Sequence, residues 1–182
     1  MRIITGKLKG RRFSTPGNTD IRPTSDRTKE SMFSVIEVRK HIAGSVVLDL
    51  FAGSGNLGFE AISRGADRVV FVESLAKAVD NIEKQAAAFG VQKQVHGICA
   101  NVETFLRNTG QPYDLVFADP PYDYEFMADL PEIIIKNGWL KDDGWFILEH
   151  DKRHHFGEHP HCVFAKPYGR TIVTIFTKEP VS

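Results

Sequence analysis

Between Val46 and Glu149, short apolar runs alternate with segments of helical period, and most of the runs end on a polar or acidic residue. Strands are expected at Val46–Leu50, Arg68–Glu73, Gln94–Ile98, Leu115–Ala118 and Trp145–Glu149. Helices are expected at Leu57–Arg64, Leu75–Phe89, Val102–Asn108 and Phe126–Lys136. Gly65 and Gly90 stand where two of these helices must stop. Pro131 either kinks the last helix or moves its start. Such alternation leaves few folds open, chiefly a parallel sheet with helices on both faces. Val163–Ala165 and Thr171–Thr177, around Pro167-Tyr168-Gly169, read as a closing hairpin that brings the sheet to seven strands. The expected class is α/β and Rossmann-like, and 182 residues suffice for one such domain.

The N-terminal segment departs from this pattern. The formal net charge of the chain is zero, yet residues 1–29 hold eight basic side chains against two acids. A basic arm therefore joins an acidic body. On charge alone this fits either a polyanionic partner or a solvated terminus. Ile3, Leu8 and Phe13 are its apolar members, and turns at Gly6 and Gly10 suggest a small β-hairpin separate from the main sheet. Ser25 or Asp26 caps a helix carrying Met32, Phe33 and Ile36. The division expected is 1–29 as the arm and 30–182 as the main domain. Two cysteines, Cys99 and Cys162, make no disulfide framework and point to a reducing cytoplasm. No apolar run approaches the ~20 residues that span a bilayer, and neither a signal peptide nor a membrane partner is expected.

In open parallel sheets ligands bind beyond the carboxyl ends of the strands. Asp49 and a glycine turn follow the first strand, Glu73 the second, Asn101 the third, Asp119-Pro120-Pro121-Tyr122 the fourth and Glu149 the fifth. Gly53-x-Gly55-x-x-Gly58 fits the dinucleotide fingerprint, with Glu73 twenty residues on. However, Asp49 stands four residues before the first glycine, and Asp49-x-x-x-Gly53-x-Gly55 resembles the S-adenosylmethionine loop of Rossmann-like methyltransferases. Carboxylates near that cofactor's sulfonium and ammonium are favourable. Glu73 can accept from both ribose hydroxyls or cap the next helix. Asn101 can meet the adenine amino edge or serve as an N-cap, and both remain open. Asp119–Tyr122 offers a carboxylate and the Pro120 carbonyl on a rigid turn, two acceptors for an exocyclic amine, with Tyr122 as a ring for stacking. His150, His154, His155, His159 and His161 crowd near Cys162 without zinc-ligand spacing, so no metal site is expected. Trp139 and Trp145 are expected to pack in or beside the core.

Asp49–Gly58 with Asp119–Tyr122 resembles the amino-methyltransferases of nucleic acids that use S-adenosylmethionine. Arg2-Ile-Ile-x-Gly6, Gly10-Arg, Pro16 and Arg22-Pro-Thr-x-Asp-Arg27-x-x-Glu30-x-x-Phe33 are similar to the bacterial family that methylates guanine N2 in small-subunit (16S) ribosomal RNA. The resemblance extends through Asn137-Gly-Trp-Leu140 and the Tyr168-Gly169 hairpin. It implies the methyltransferase fold and a partner in ribosomal RNA or the assembling small subunit. It implies target-amine contacts, the catalytic set, at Asp119, Pro120, Pro121 and Tyr122. It implies cofactor contacts at Arg22, Thr24, Asp49, Phe51, Ala52, Gly53, Ser54, Gly55, Glu73, Ser74, Asn101, Val102 and Asp119, with S-adenosylhomocysteine as product. RNA contacts are expected from Arg2, Lys7, Lys9, Arg11, Arg12 and Arg27, and the protein is expected to be a monomer. Lys29 stands where the family more often has Arg, and Tyr122 where Phe is frequent. Competing readings are an adenine-N6 methyltransferase of DNA or RNA, an NAD-dependent oxidoreductase, and a non-catalytic RNA-binding assembly factor.

Overall fold

The computed structural model describes residues 1–13 and 25–181. After the helix Asp26–Arg39 (α1), the elements run Val46–Leu50 (β1), Asn56–Ser63 (α2), Arg68–Glu73 (β2), Ala76–Ala88 (α3), Val95–Cys99 (β3), Val102–Leu106 (α4), Tyr113–Ala118 (β4), Leu130–Lys136 (α5), Leu140–His150 (β5), Cys162–Tyr168 (β6) and Thr171–Thr177 (β7). One seven-stranded sheet has the order β3-β2-β1-β4-β5-β7-β6. Strands β1 to β5 are parallel, and β7 runs antiparallel to both β5 and β6. The strand order reverses between β1 and β4, which makes the crevice above those two strands the expected ligand position.

The period-two alternation of each strand feeds two apolar layers. Val47, Val69, Phe71, Leu115, Phe117 and Ile147 pack with the N-terminal segment and α1 to α3. Leu48, Leu50, Val70, Val72, Val116, Phe146 and Leu148 pack with α4 and α5. No helix among the described residues is long and apolar enough to cross a membrane.

Several boundaries differ from the sequence reading: β4 starts at Tyr113 rather than Leu115, β6 spans Cys162–Tyr168 rather than Val163–Ala165, and α4 ends at Leu106 rather than Asn108. Strand β5 begins at Leu140 rather than Trp145, although Lys141-Asp142-Asp143-Gly144 has the composition of a turn. The polar residues run along an irregular start, marked by a register shift opposite Tyr113 and Leu115, where Lys141 pairs with Asp114 at 2.9 Å. Pro131 moves the start of α5 rather than kinking it, because a proline is tolerated in the first turn where no amide partner is needed. The arm forms a single antiparallel bridge, Arg2 with Arg12, outside the main sheet.

That arm is fastened by a buried polar cluster. Lys29 is fully buried and donates to Arg2 O at 2.6 Å and Asn56 Oδ1 at 2.7 Å, with Glu60 Oε2 at 3.3 Å. Glu60, also fully buried, accepts from Ile4 N, Thr5 N and Arg64 Nε at 2.9, 3.1 and 3.0 Å. Burial holds the Lys29 ammonium below its ordinary pKa, and Glu60 opposes that shift. Ile3, Leu8 and Phe13 are buried against α1 to α3 beside this cluster.

Candidate active site

Register and alternation together assemble a row of carboxylates. Asp49 pairs with Phe71 in β2 and Phe117 in β4. Glu73 and Asp119, two residues on from these partners, belong to the same face of the sheet. Ala118 pairs with Leu148, so Glu149 falls opposite Asp119 on that face, 3% exposed. Asp49 is 2% exposed, and its Oδ2 accepts from Gly58 N at 2.9 Å. Burial above all, and then the charges of Asp119 and Glu73, push its carboxyl well above the usual range against that hydrogen bond. Crowded acids at a strand-end crevice make a site that gains from an incoming cation.

The loop after β1 turns within five residues. Phe51 adopts φ 57°, a left-handed conformation that strains a non-glycine residue by about 1–2 kcal/mol. Gly55 caps α2 at φ 79°. Ala52 N donates to Val72 O at 3.1 Å and Gly53 N to Glu73 Oε2 at 2.9 Å, which binds the loop to the end of β2. Glu73 Oε1 accepts from Ser74 Oγ and Leu75 N, each at 3.1 Å. Ser54 is half-buried in the turn. Gly58 brings α2 close onto β2, since a Cβ there would lie 2.2 Å from Phe71 Cε1 and 2.8 Å from Val69 Cγ1. A Gly58→Ala variant is expected to lose about 2 kcal/mol of stability through overpacking, read from its urea midpoint. An unchanged midpoint would show that the helix can lift off the strand freely.

Asn101 is the N-cap of α4, its Oδ1 accepting from Glu103 N at 3.0 Å and Thr104 N at 3.3 Å, and Val102 is buried behind it. With the oxygen so engaged, the amide NH2 is the group that can meet a ligand, as a donor. Three of the exposed large apolar side chains stand in the segments that follow β2 and β4: Leu75, Tyr122 and Phe126. Exposed apolar surface edged by polar groups marks a binding site. In the turn after β4, Pro120 is buried and Pro121 exposed, and Pro121 O accepts from Tyr124 N at 3.0 Å. The Pro120 carbonyl keeps no protein donor among the described residues. Tyr124 stands edge-on to Phe51 at 4.9 Å, and burial above all, then the nearby Glu103, pushes its hydroxyl well above the ordinary range. Nothing in the sequence patterns singles out Leu75, Phe126 or Tyr124, although Tyr124 follows Tyr122 at strand-like spacing. An open groove of about 580 Å³ lies instead towards the starts of β2, β3 and β4, where Arg68, Val95 and Trp139 line it without any carboxylate.

Among the described residues the arm's basic residues are spread along α2, Arg2 and Lys29 near its start beside the glycine loop and Lys7 at its far end. Lys7 N donates to Ser63 O at the C-terminal end of α2, and Lys7 Nζ to Gln94 Oε1 at 2.7 Å. The turn carrying Lys7 and Lys9 therefore lies a helix length, about 12 Å, from the glycine loop. Arg11 stacks over Phe89, Arg2 pairs with Asp26 at 2.9 Å, and Arg12 and Arg27 are exposed. Arg22 and Thr24 lie outside the described residues. The histidines are engaged in structural contacts: His150 bonds Thr174 Oγ1 at 2.8 Å, His161 bonds Thr177 O at 3.0 Å, and His161 N donates to His159 Nδ1 at 3.2 Å. Among the described residues no cluster could hold a metal ion.

With this geometry in place, comparison with known proteins gives the family. The family described as "Conserved hypothetical protein 95" matches residues 1–177. The chain belongs to that family. It is 34% identical to "Putative rRNA methyltransferase YlbH" of Bacillus subtilis, over 98% of this chain and 100% of that one. It is 32% identical to "Ribosomal RNA small subunit methyltransferase D" of Escherichia coli K12, over 82% and 74% of the two chains. The solved structure "Putative methyltransferase yhhF from Escherichia coli" superposes with a TM-score of 0.86 at 29% identity, covering 100% of this chain and 99% of that one.

Proposed function

We propose that this family member transfers the methyl group of S-adenosylmethionine to the exocyclic N2 amine of a guanine in small-subunit ribosomal RNA, in the cytoplasm. The observation that carries this is the row Glu73, Asp49, Asp119 on one face at the switch point, flanked by the glycine loop and the proline turn. The relatives named as ribosomal RNA methyltransferases support the substrate class.

The residues fit the cofactor. The loop 49–55 and Ser74 would hold its amino-acid and ribose portions, and Asp49 with Asp119 would answer its positive charge. Glu73 has one acceptor site left after its three bonds, so holding both ribose hydroxyls requires the Ser74 hydroxyl to rotate away. Leu75 would offer an apolar face to the adenine, and the Asn101 NH2 would be its donor. Bound here, S-adenosylmethionine supplies an electrophilic methyl group. The Asp119 carboxylate and the Pro120 carbonyl accept the two N–H bonds of the target amine. This aims its lone pair, otherwise delocalised into the ring, along the line of attack. Tyr122 holds the base by stacking, and an amine inside a duplex must first leave the stack. The arm with Arg27 holds more distant RNA.

The raised Asp49 carboxyl gives a pH test. A cation bound beside it draws the group back to its ionised form, so binding releases a proton. Affinity for S-adenosylmethionine is then lost as pH falls below the free protein's Asp49 pKa. S-Adenosylhomocysteine, without the sulfonium, is expected to show a shallower dependence. Calorimetry across pH checks this: equal slopes would detach Asp49 from the sulfonium, and no slope for either ligand would detach it from the cofactor. The function itself is tested with labelled methyl on small subunits lacking the modification. N2-methylguanine is the expected product, methyladenine would move the target to N6, and no transfer despite RNA binding would leave an assembly factor.

A further inference from the structure

The Asp119–Tyr122 turn is tethered to two segments that the sequence patterns leave without a role. Arg153, in the loop after β5, donates from Nη2 to Tyr122 O at 2.6 Å and from Nε to Asp151 Oδ2 at 2.7 Å. The Tyr122 hydroxyl lies 3.1 Å from Thr171 Oγ1 at the start of β7. The Tyr122 ring, 39% exposed, thus reaches from the turn to the β6–β7 hairpin.

Charge divides sharply about this ring. Chain-forward of the turn, Asp123, Glu125 and Asp129 are exposed acids. On the tethered side, Lys152, Arg153 and His155 are exposed, as is Arg170 next to Thr171. Lys152, His155 and Arg170 make no ion pair among the described residues. Lys40 and Lys178, by contrast, are neutralised by Asp143 and Asp142. A phosphate backbone is repelled along the acidic flank and attracted along the basic one.

We propose that Lys152, Arg153, His155 and Arg170 form the surface that grips the phosphates of the RNA strand bearing the target nucleotide, with the target base laid across Tyr122. The proposal rests on the methyltransferase reading and places the nearest RNA contacts beside β5 and β7 rather than on the N-terminal arm. Arg153 has a second part: its planar fork joins Asp151 and the Tyr122 carbonyl, so it is a positioning residue for the turn as well as a phosphate contact.

The test uses transcribed small-subunit ribosomal RNA and the full-length protein. In Lys152→Ala/Arg170→Ala, RNA affinity is expected to fall about tenfold. The slope of log K against log salt should become shallower by 1 to 2. KM for RNA should rise more than kcat falls. Arg153→Lys keeps the charge and loses the fork, so kcat should fall while the salt slope holds. Unchanged affinity and slope in the double variant, with methylation intact, would overturn the surface and leave the methyltransferase reading standing. A reduced slope in a protein that transfers no methyl group would keep the surface and overturn that reading.

Discussion

An Asp119→Ala variant is expected to lose methyl-transfer turnover by about a thousandfold, roughly 4 kcal/mol on the barrier, while S-adenosylmethionine still binds within a few-fold. Asp119 follows β4 at the switch point and shares its sheet face with Asp49. An aromatic amine is a poor nucleophile, so an acceptor that fixes its N–H bonds acts mainly in the transition state. Cofactor binding is spared because removing this charge also relieves Asp49, whose carboxyl it helps to push up. Asp119→Asn keeps an acceptor oxygen without the charge and should fall between the variant and the parent. Single-turnover rates beside calorimetric affinities decide the matter, and turnover within tenfold of the parent would remove Asp119 from the reaction.

A Glu60→Ala variant is expected to destabilise the protein by about 4 kcal/mol, since breaking a buried ion pair strands its partner. Four donors would lose their acceptor here: the fully buried Lys29 ammonium, the Ile4 and Thr5 amides, and Arg64 Nε. The damage should begin at the arm, so protease cleavage within residues 1–13 is expected before global unfolding. A double variant, Lys29→Met/Glu60→Leu, removes both charges and should recover part of the loss. Urea unfolding of the two variants gives the comparison. A loss below 1 kcal/mol for Glu60→Ala alone would mean that Glu60 is not the keystone of the arm.

Periodicity made the sheet legible, because strands β1, β2 and β4 are continuous apolar runs closed by acids. The reading faltered where burial and composition part company. Lys141-Asp142-Asp143-Gly144 reads as a turn, yet it is the irregular start of β5, held by a pair between Lys141 and Asp114. Ile3, Leu8 and Phe13 sit among bases and glycines, so they read as an arm, but they belong to a core layer. Within the site, Asp49, Glu73 and Asp119 were visible because each ends an apolar run. Arg153 was not, since its contact to Tyr122 spans thirty-one positions and no local pattern encodes it. Lys29 and Glu60 look like ordinary helix-surface charges, and only their tertiary placement makes them a buried pair.

The position of β7 has a consequence for how the chain comes to be folded. Although it is the last strand in chain order, it lies inside the sheet, between β5 and β6. Until residues 171–177 have been synthesised, β5 presents the apolar edge around Phe146 and Leu148 with no neighbour on that side. A nascent chain lacking those residues carries an open, sticky sheet edge, and β6 has nothing to pair with. Completion of the sheet therefore waits on the end of translation of this strand, and the tether from Tyr122 to Thr171 can form only then.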